Sequence, residues 1–154
     1  MKKIIKITAL ILWMIIIFLF SNQNGQESGN LSNGFINQTI IRVYEIFNKD
    51  ATIEEKTLII KKVSLPVRKL AHFTVFLVLG VLIFINLEDL NITNKNKIIL
   101  SILFCILYAI SDELHQLFIP GRSCCLKDVL IDTSGSICGI SIKNMSKKFA
   151  RKID

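Results

Sequence analysis

The residues best suited to chemistry stand in an unusual place, at the end of a long apolar run. Residues 98–110 are almost entirely apolar, and Asp112, Glu113 and His115 follow within the next five positions. An ionisable side chain near the centre of a bilayer costs about 2.5 to 3.5 kcal/mol on insertion scales, so such residues are rare and usually paired or functional. We therefore expect these three side chains to have a function or a partner.

Spacing places most of the polar side chains of this segment on one face of a helix. Asp112 precedes His115 by three residues and Gln116 by four, which aligns the three side chains. Glu113 points about a quarter-turn away from them. A histidine and a carboxylate held near each other can exchange protons with a substrate, and this pattern therefore favours acid–base chemistry.

Three chemical interpretations compete. In the first, His72 or His115 forms a general acid–base pair with a carboxylate, and Arg68 and Arg122 hold an anionic group such as a phosphate. In the second, both histidines bind a metal ion, although the sequence lacks the H-E-x-x-H and C-x-x-C motifs that would favour this. The carboxylates available to that ion are Asp112, Glu113 and Asp132. In the third, acids and bases pair only structurally, which is a poor route to stability because apolar replacements are often no less stable.

The elements that must position these residues are apolar helices. The chain is 51% hydrophobic with only 2 prolines in 154 residues, which is more apolar than an ordinary soluble domain. We predict one all-α integral membrane domain over residues 1–154, a helical bundle with four transmembrane helices. The predicted spans are residues 4–20, 70–87, 98–118 and 129–142. The first is interpreted as an uncleaved span because the small-x-small cleavage pattern is absent after it.

The segment between the first two spans, about residues 21–67, is polar and carries charges of both signs. Apolar residues recur there at helical spacing, which predicts an amphipathic helix on the membrane or against the bundle. Thr52 and Glu55 have the capping-box form and predict a second helix to about Val63. Pro66 is expected at the start of the second span. We expect this loop to be extracytoplasmic.

Charge is concentrated at the two ends of the chain. Residues 1–6 and 143–154 account for the whole net charge of +7, because the charges between them cancel. This positive-inside pattern predicts a multi-pass protein of the cell membrane with cytoplasmic N- and C-termini. No basic stripe on a folded face is evident, so nucleic-acid binding is not expected. No metal or other cofactor is predicted, and oligomeric partners are left open.

This topology brings the unusual polar residues to one side of the membrane. The end of the first span, the start of the second, the end of the third and the start of the fourth all face outward. The residues at these places are Ser21, Gln23, Arg68, Lys69, His72, Asp112, Glu113, His115, Gln116, Arg122, Asp128 and Asp132. We predict a polar site there, whereas the inner turn at residues 88–97 is expected to be an ordinary solvated connection.

The fourth span carries two carboxylates and two glycines that have structural alternatives. Asp128 and Asp132 lie four residues apart at its start, and Asp128 has a competing interpretation as a helix N-cap. Gly135 and Gly139 continue the face of Asp132 in a small-xxx-small pattern. This pattern favours close packing of the fourth span against a neighbouring helix.

Four ordered segments closely resemble the VanZ-like family of small bacterial membrane proteins. They are Phe20-Ser21-Asn22-Gln23, Arg68-Lys69-Leu70-Ala71-His72-Phe73, the segment from Tyr108 to Arg122, and the segment from Asp128 to Gly139. The resemblance covers nearly the whole chain, although Cys124-Cys125 stands where small residues such as Gly or Ser are expected. It implies a membrane protein whose named relative is linked to lower susceptibility to teicoplanin, a lipid-bearing glycopeptide that attacks cell-wall precursors. It implies no known reaction.

Two functions of different classes follow from these observations. The first is an enzyme-like site that acts on an anionic, membrane-anchored envelope component. Its expected catalytic residues are His72, Asp112, Glu113 and His115, and its expected binding residues are Ser21, Gln23, Arg68, Lys69, Gln116, Arg122, Asp128 and Asp132. The second is a non-catalytic protein that binds the drug or a lipid with the same residues. A proton-coupled transporter or channel subunit is a third hypothesis.

Overall fold

The computed structural model of the protein describes residues 2–22, 38–39, 41–48, 52–119 and 125–153. Every regular element in these ranges is helical. The long helices are α1 (Lys2–Ser21), α2 (Ile53–Leu87), α3 (Asn94–Gln116) and α4 (Leu126–Ile153), and residues 41–47 form a short helical segment before α2. The predicted all-helical class is confirmed.

Three of the described helices are long and apolar enough to cross a membrane. Their apolar stretches are Lys3–Ser21, Pro66–Leu87 and Asn94–Gln116, which correspond to the first three predicted spans. The fourth predicted span, residues 129–142, is helical within α4, but α4 is not among these three. Serine, threonine and glycine dilute its apolar residues.

Helix α2 begins at the predicted capping box. The Glu55 N–H donates to the Thr52 hydroxyl at 3.3 Å, and the Thr52 N–H donates to the Glu55 carboxylate at 2.9 Å. The helix does not end near Val63, however, and Pro66 lies inside it. The prediction of two separate helices with Pro66 at the start of the second is therefore wrong. A proline removes only one backbone hydrogen bond and often bends a helix without ending it.

The centre of the bundle is apolar, and two aromatic side chains join α1 to it. The Trp13 indole N–H donates to the carbonyl of Val75 on α2 at 3.0 Å. The Tyr108 hydroxyl on α3 donates to the carbonyl of Met14 at 2.8 Å. The buried apolar core consists of Ile17, Phe76, Leu79, Ile83, Phe84, Cys105, Ala109 and Ile140. All four long helices therefore contribute to one core.

The closest approach between helices is that of α2 and α4. A Cβ atom added at Gly135 would collide with the backbone oxygen of Phe73, and one added at Gly139 would collide with that of Leu77. Gly80 on α2 is equally restricted by the backbone of α4. The close packing predicted from the small-xxx-small pattern is confirmed, and it fixes the register of α4 against α2.

Candidate functional site

One end of the bundle gathers the polar residues singled out in the sequence. We call it the site end; it comprises the last residue of α1, the start of the α2 apolar stretch, the end of α3 and the start of α4. The predicted residues found there are Ser21, Arg68, Lys69, His72, Asp112, Glu113, His115, Gln116, Asp128 and Asp132. Gln23 and Arg122 lie outside the described residues.

A histidine on α2 meets a carboxylate on α4 in the interior of the site end. The Nδ1 atom of His72 lies 3.5 Å from Oδ1 of Asp132. The His72 side chain is 27% exposed, whereas that of Asp132 is 0% exposed. Within the described residues, neither oxygen of Asp132 has a hydrogen-bond partner. A buried carboxylate in this position is costly unless it is paired, and the basic side chain in contact with it is that of His72.

One helical turn further out, the same two helices carry a second acid–base pair. The Lys69 ammonium lies 3.7 Å from Oδ1 of Asp128, and both side chains are partly exposed. Asp128 is in the first turn of α4, where its own N–H donates to the Cys125 carbonyl at 2.8 Å. The N-cap interpretation of Asp128 is therefore wrong, because α4 has already begun. Arg68 is exposed beside this pair.

The carboxylates of α3 are buried and each accepts a hydrogen bond. The Gln116 amide donates to Oδ2 of Asp112 at 3.0 Å, which agrees with their predicted shared face. The Cys125 N–H donates to Oε2 of Glu113 at 2.9 Å. Glu113 is 1% exposed, and its second oxygen, Oε1, has no hydrogen-bond partner among the described residues. Glu113 thus ties the end of α3 to the residue that precedes α4.

His115 is held by an aromatic contact. Its ring stacks on that of Phe18 from α1, with centroids 4.6 Å apart and planes inclined by 30°. Its Nε2 atom is buried and has no hydrogen-bond partner in the described part of the chain. The stacking fixes the ring between α1 and α3.

In the described part of the chain, buried side-chain polar atoms without a hydrogen-bond partner occur at the site end. Over the described ranges, these side-chain atoms belong to Ser21, Glu113, His115 and Asp132. Buried polar groups in proteins are nearly always satisfied, so each exception calls for an explanation. A cluster of exceptions at one end, on residues of three helices, is typical of a place that receives protons, water or a polar ligand.

The sequence analysis placed His72 among the catalytic residues and Asp132 among the binding residues. It did not predict that their side chains contact each other. The two residues are 60 positions apart, so no local spacing joins them. The available signal was the face shared by Asp132, Gly135 and Gly139. Because the glycines must touch a neighbouring helix, Asp132 must touch it as well.

The described residues do not form the metal-binding group considered in the sequence analysis. Within the part of the chain that the structure describes, no three His, Cys, Asp or Glu side chains are arranged to hold a metal ion. Of the residues in that interpretation, His72 and Asp132 contact each other. The unpartnered atoms of Glu113 and His115 belong to another helix, α3.

The opposite end of the bundle is more ordered than predicted. We call it the turn end. There Lys6 contacts Asp89 at 2.8 Å and Lys147 contacts Glu88 at 3.0 Å, while the Lys97 ammonium donates to the Glu88 carbonyl at 2.8 Å. The hydrogen bond from Lys6 lowers the pKa of the Asp89 carboxyl from its usual value. The adjacent acids Glu88 and Asp89 were the available signal for these pairs, but their partners on other helices could not be assigned from sequence.

Comparisons with known proteins agree with this arrangement. No curated protein and no solved structure matches the chain. A family model described as VanZ/LLP1 matches residues 6–146, a region that contains α2 and α3 entirely, most of α1 and α4, and every residue of the site end. The match confirms the resemblance that was based on four short segments. This protein belongs to the VanZ/LLP1 family.

Proposed function

We propose that this chain is a four-span protein of the bacterial cell membrane whose outward-facing site end acts on an anionic, membrane-anchored envelope component. Its effect is to lower susceptibility to teicoplanin-type glycopeptides. The observation that carries the proposal is that, over the described residues, the buried polar side-chain atoms without a hydrogen-bond partner all lie at the site end, whereas the central core is apolar. Retaining such atoms costs stability, so a function at this end is the simplest reason for them.

The packing of α4 supports its role as the fourth span. Its residue Asp128 lies beside Lys69, near the start of the apolar stretch of α2, and its residue Lys147 lies beside Glu88, just after the end of α2. At 1.5 Å per residue, this stretch of α4 is about 28 Å long, close to the roughly 30 Å thickness of a bilayer core. Four spans place both basic ends of the chain on the cytoplasmic side and the site end on the outer side.

The order of charges at the site end suits an anionic headgroup. Arg68 and Lys69 are on the rim, where a phosphate or carboxylate at the membrane surface can reach them. His72 lies one turn deeper and is partly exposed, and Asp132 lies behind it. A headgroup held by the cations therefore presents its neighbouring atoms to the imidazole.

A second candidate function is ligand binding without turnover. It is favoured by the hydrogen bonds that the two acids of α3 already accept. One oxygen of Asp112 accepts from the Gln116 amide, and one oxygen of Glu113 accepts from the Cys125 N–H. Carboxylates engaged in this way suit a rigid binding surface. Under this alternative, purified protein binds a lipid or the drug stoichiometrically and leaves it unchanged.

The test is drug susceptibility in a teicoplanin-sensitive Gram-positive host. Strains express the wild-type chain, Asp112→Asn, Asp89→Asn or an empty vector, with equal membrane levels shown by blotting. We expect the wild-type chain and Asp89→Asn to raise the inhibitory concentration of teicoplanin more than that of vancomycin, and Asp112→Asn to lose this protection. Asp89 is the matched control because it is an exposed aspartate at the turn end.

Either of two results contradicts the proposal. Absence of protection by the wild-type chain removes the link to teicoplanin. Full protection by Asp112→Asn removes the site end from the function. Lipid extracts of the same strains separate the two candidates, because an altered envelope lipid indicates turnover and an unchanged lipid profile with protection indicates binding.

A further inference from the structure

The most closely packed part of the molecule holds His72 and Asp132. The backbone of Phe73, the residue after His72, touches Gly135 of α4, three residues after Asp132. The Ser136 hydroxyl, buried on α4, lies within hydrogen-bond distance of the carbonyls of Phe76, at 3.2 Å, and of Asp132, at 3.1 Å. The backbones of α2 and α4 are therefore in direct contact at this crossing, which holds the histidine and the carboxylate next to each other. Such support is what a precisely oriented pair requires.

The two side chains are arranged in order from the interior outward. Asp132 is fully buried, and both its oxygens lack a hydrogen bond to any described residue. His72 covers it and keeps part of its own surface exposed. The contact distance of 3.5 Å between Nδ1 and Oδ1 needs a shift of about 0.5 Å to become a good hydrogen bond. Catalytic hydrogen bonds are often long in proteins without ligand and shorten when the ligand binds.

We propose that His72 and Asp132 are a proton-transfer pair for a hydroxyl group of a membrane-anchored, anionic substrate. Asp132 is the positioning residue: its carboxylate accepts a hydrogen bond from Nδ1–H of His72 and thereby leaves Nε2 without a proton. Nε2 then accepts the proton of the hydroxyl, from water or from the substrate. This inference rests on the proposed function and assigns its chemistry to one pair.

The proton transfer is balanced within this pair and its substrate. The O–H bond breaks, its electron pair stays on the oxygen, and an Nε2–H bond forms. The resulting imidazolium lies against the carboxylate of Asp132, which offsets its charge in a site of low dielectric constant. The same proton can return to a departing oxygen in the reverse transfer, so no further reactant is needed.

The substrate class follows from what surrounds His72. Arg68 precedes it by four residues on the same face of α2 and is exposed. A guanidinium in this position binds a phosphate or carboxylate and directs the neighbouring hydroxyl to the imidazole one turn deeper. His115 does not offer the same geometry, because its ring is stacked on Phe18 and its Nε2 atom is buried.

Imidazole nitrogen NMR of the full chain in lipid nanodiscs tests the pair without any substrate. The chain has 2 histidines, so a His72→Gln spectrum identifies the signals of His72. We expect neutral His72 to carry its proton on Nδ1 in the wild type, because the hydrogen bond made by one nitrogen sets the tautomer. In Asp132→Asn the Nε2–H tautomer should dominate, while Asp89→Asn should leave the spectrum unchanged. If the His72 tautomer is the same in the wild type and in Asp132→Asn, the proposed pair is overturned.

Drug protection tests whether the pair does chemistry. We expect His72→Gln, Asp132→Asn and the double variant each to lose protection to the level of the empty vector, with no additional loss in the double variant, as for residues that act as a unit. Protection by the wild type that persists in Asp132→Asn overturns this inference and leaves the proposed function standing. Absence of protection by the wild type itself overturns the proposed function, and the NMR result still decides whether the pair exists. Thermal unfolding of each variant identifies any that fails to fold.

Discussion

The two ends of this bundle treat their charged residues in opposite ways. At the turn end, Asp89 and Glu88 each meet a lysine within 3.0 Å, on side chains that remain partly exposed. At the site end, Asp132 and Glu113 are buried, and three of their four carboxylate oxygens have no hydrogen-bond partner among the described residues. Acidic side chains thus have charged partners at the turn end, whereas at the site end most of the oxygens of Asp132 and Glu113 have no hydrogen-bond partner among the described residues.

This difference supports the proposal that the site end has a function, whereas the turn end has a structural role. Partly exposed ion pairs such as those of the turn end contribute little to stability, because solvent screens their charges. A buried polar group without a partner costs about 1 to 3 kcal/mol. Natural sequences violate the rules of stable packing mainly at functional sites, and among the described residues the buried side-chain atoms without a partner lie at the end that carries His72.

The largest expected effect comes from the crossing that supports the site end. In Gly135→Leu, the new side chain meets the backbone of Phe73, which cannot move without displacing α2. Overpacking of this kind typically costs about 1 to 3 kcal/mol and occasionally more. We expect the free energy of unfolding to fall by the upper part of this range. The measurement is a large drop in the melting temperature of the protein in detergent.

Ser134→Leu is the matched control for the glycine variant. Ser134 is exposed on the same helix, and its hydroxyl donates to the Ile131 carbonyl at 2.7 Å within that helix. An added leucine side chain there enters open space or lipid. Equal melting temperatures for the two leucine variants would show that the crossing does not hold α2 and α4 in register.

The next largest effect is expected where Glu113 holds the start of α4. Glu113→Ala removes the acceptor of the partly buried Cys125 N–H, which costs about 1 to 3 kcal/mol if water does not replace it. Hydrogen exchange at the Cys125 amide should therefore become faster in this variant. Glu113→Gln retains a carbonyl acceptor and should keep the amide protected; equal exchange in both variants would contradict this role of Glu113.

The overall class of the protein could be predicted from sequence because it depends on local properties. Apolar runs identify spans, and the box formed by Thr52 and Glu55 identifies a helix start. The end of that helix could not be predicted, because whether Pro66 breaks or bends a helix depends on packing along its whole length. The weak signal of the fourth helix has the same origin: its serines and glycines lower its hydropathy and let it pack closely on α2.

The candidate site was predictable as a set of residues and not as a set of contacts. Topology alone brought ten of its residues to one end, because alternate helix ends lie on one side of a bundle. The contact of His72 with Asp132 depends on the rotation of two helices about their axes. Only the glycines that follow Asp132 carry information about that rotation, and they do not identify the partner residue.

Asp132→Asn should separate stability from function at the site end. Its carboxylate is buried with no hydrogen bond to any described residue and only the 3.5 Å contact with His72, and a neutral amide of the same size is less costly to bury. We expect the melting temperature to be unchanged or to rise, corresponding to about 1 kcal/mol, in the same variant that loses drug protection. A marked fall in melting temperature would mean that the carboxylate stabilises the fold and would remove the contrast between the two ends.

The smallest effect is expected at the turn end, from the Lys6–Asp89 pair. Because the hydrogen bond from Lys6 lowers the pKa of Asp89 below its usual value of 3.8, the pair stabilises the fold fully above that value and is lost as the pH falls through the lower pKa of the folded protein. The melting temperature of the wild type should therefore slightly exceed that of Asp89→Asn at neutral pH, and the difference should vanish in strong acid. High salt at neutral pH should reduce it as well, since the pair is exposed. A difference that persists in acid would assign the effect of Asp89 to something other than its charge.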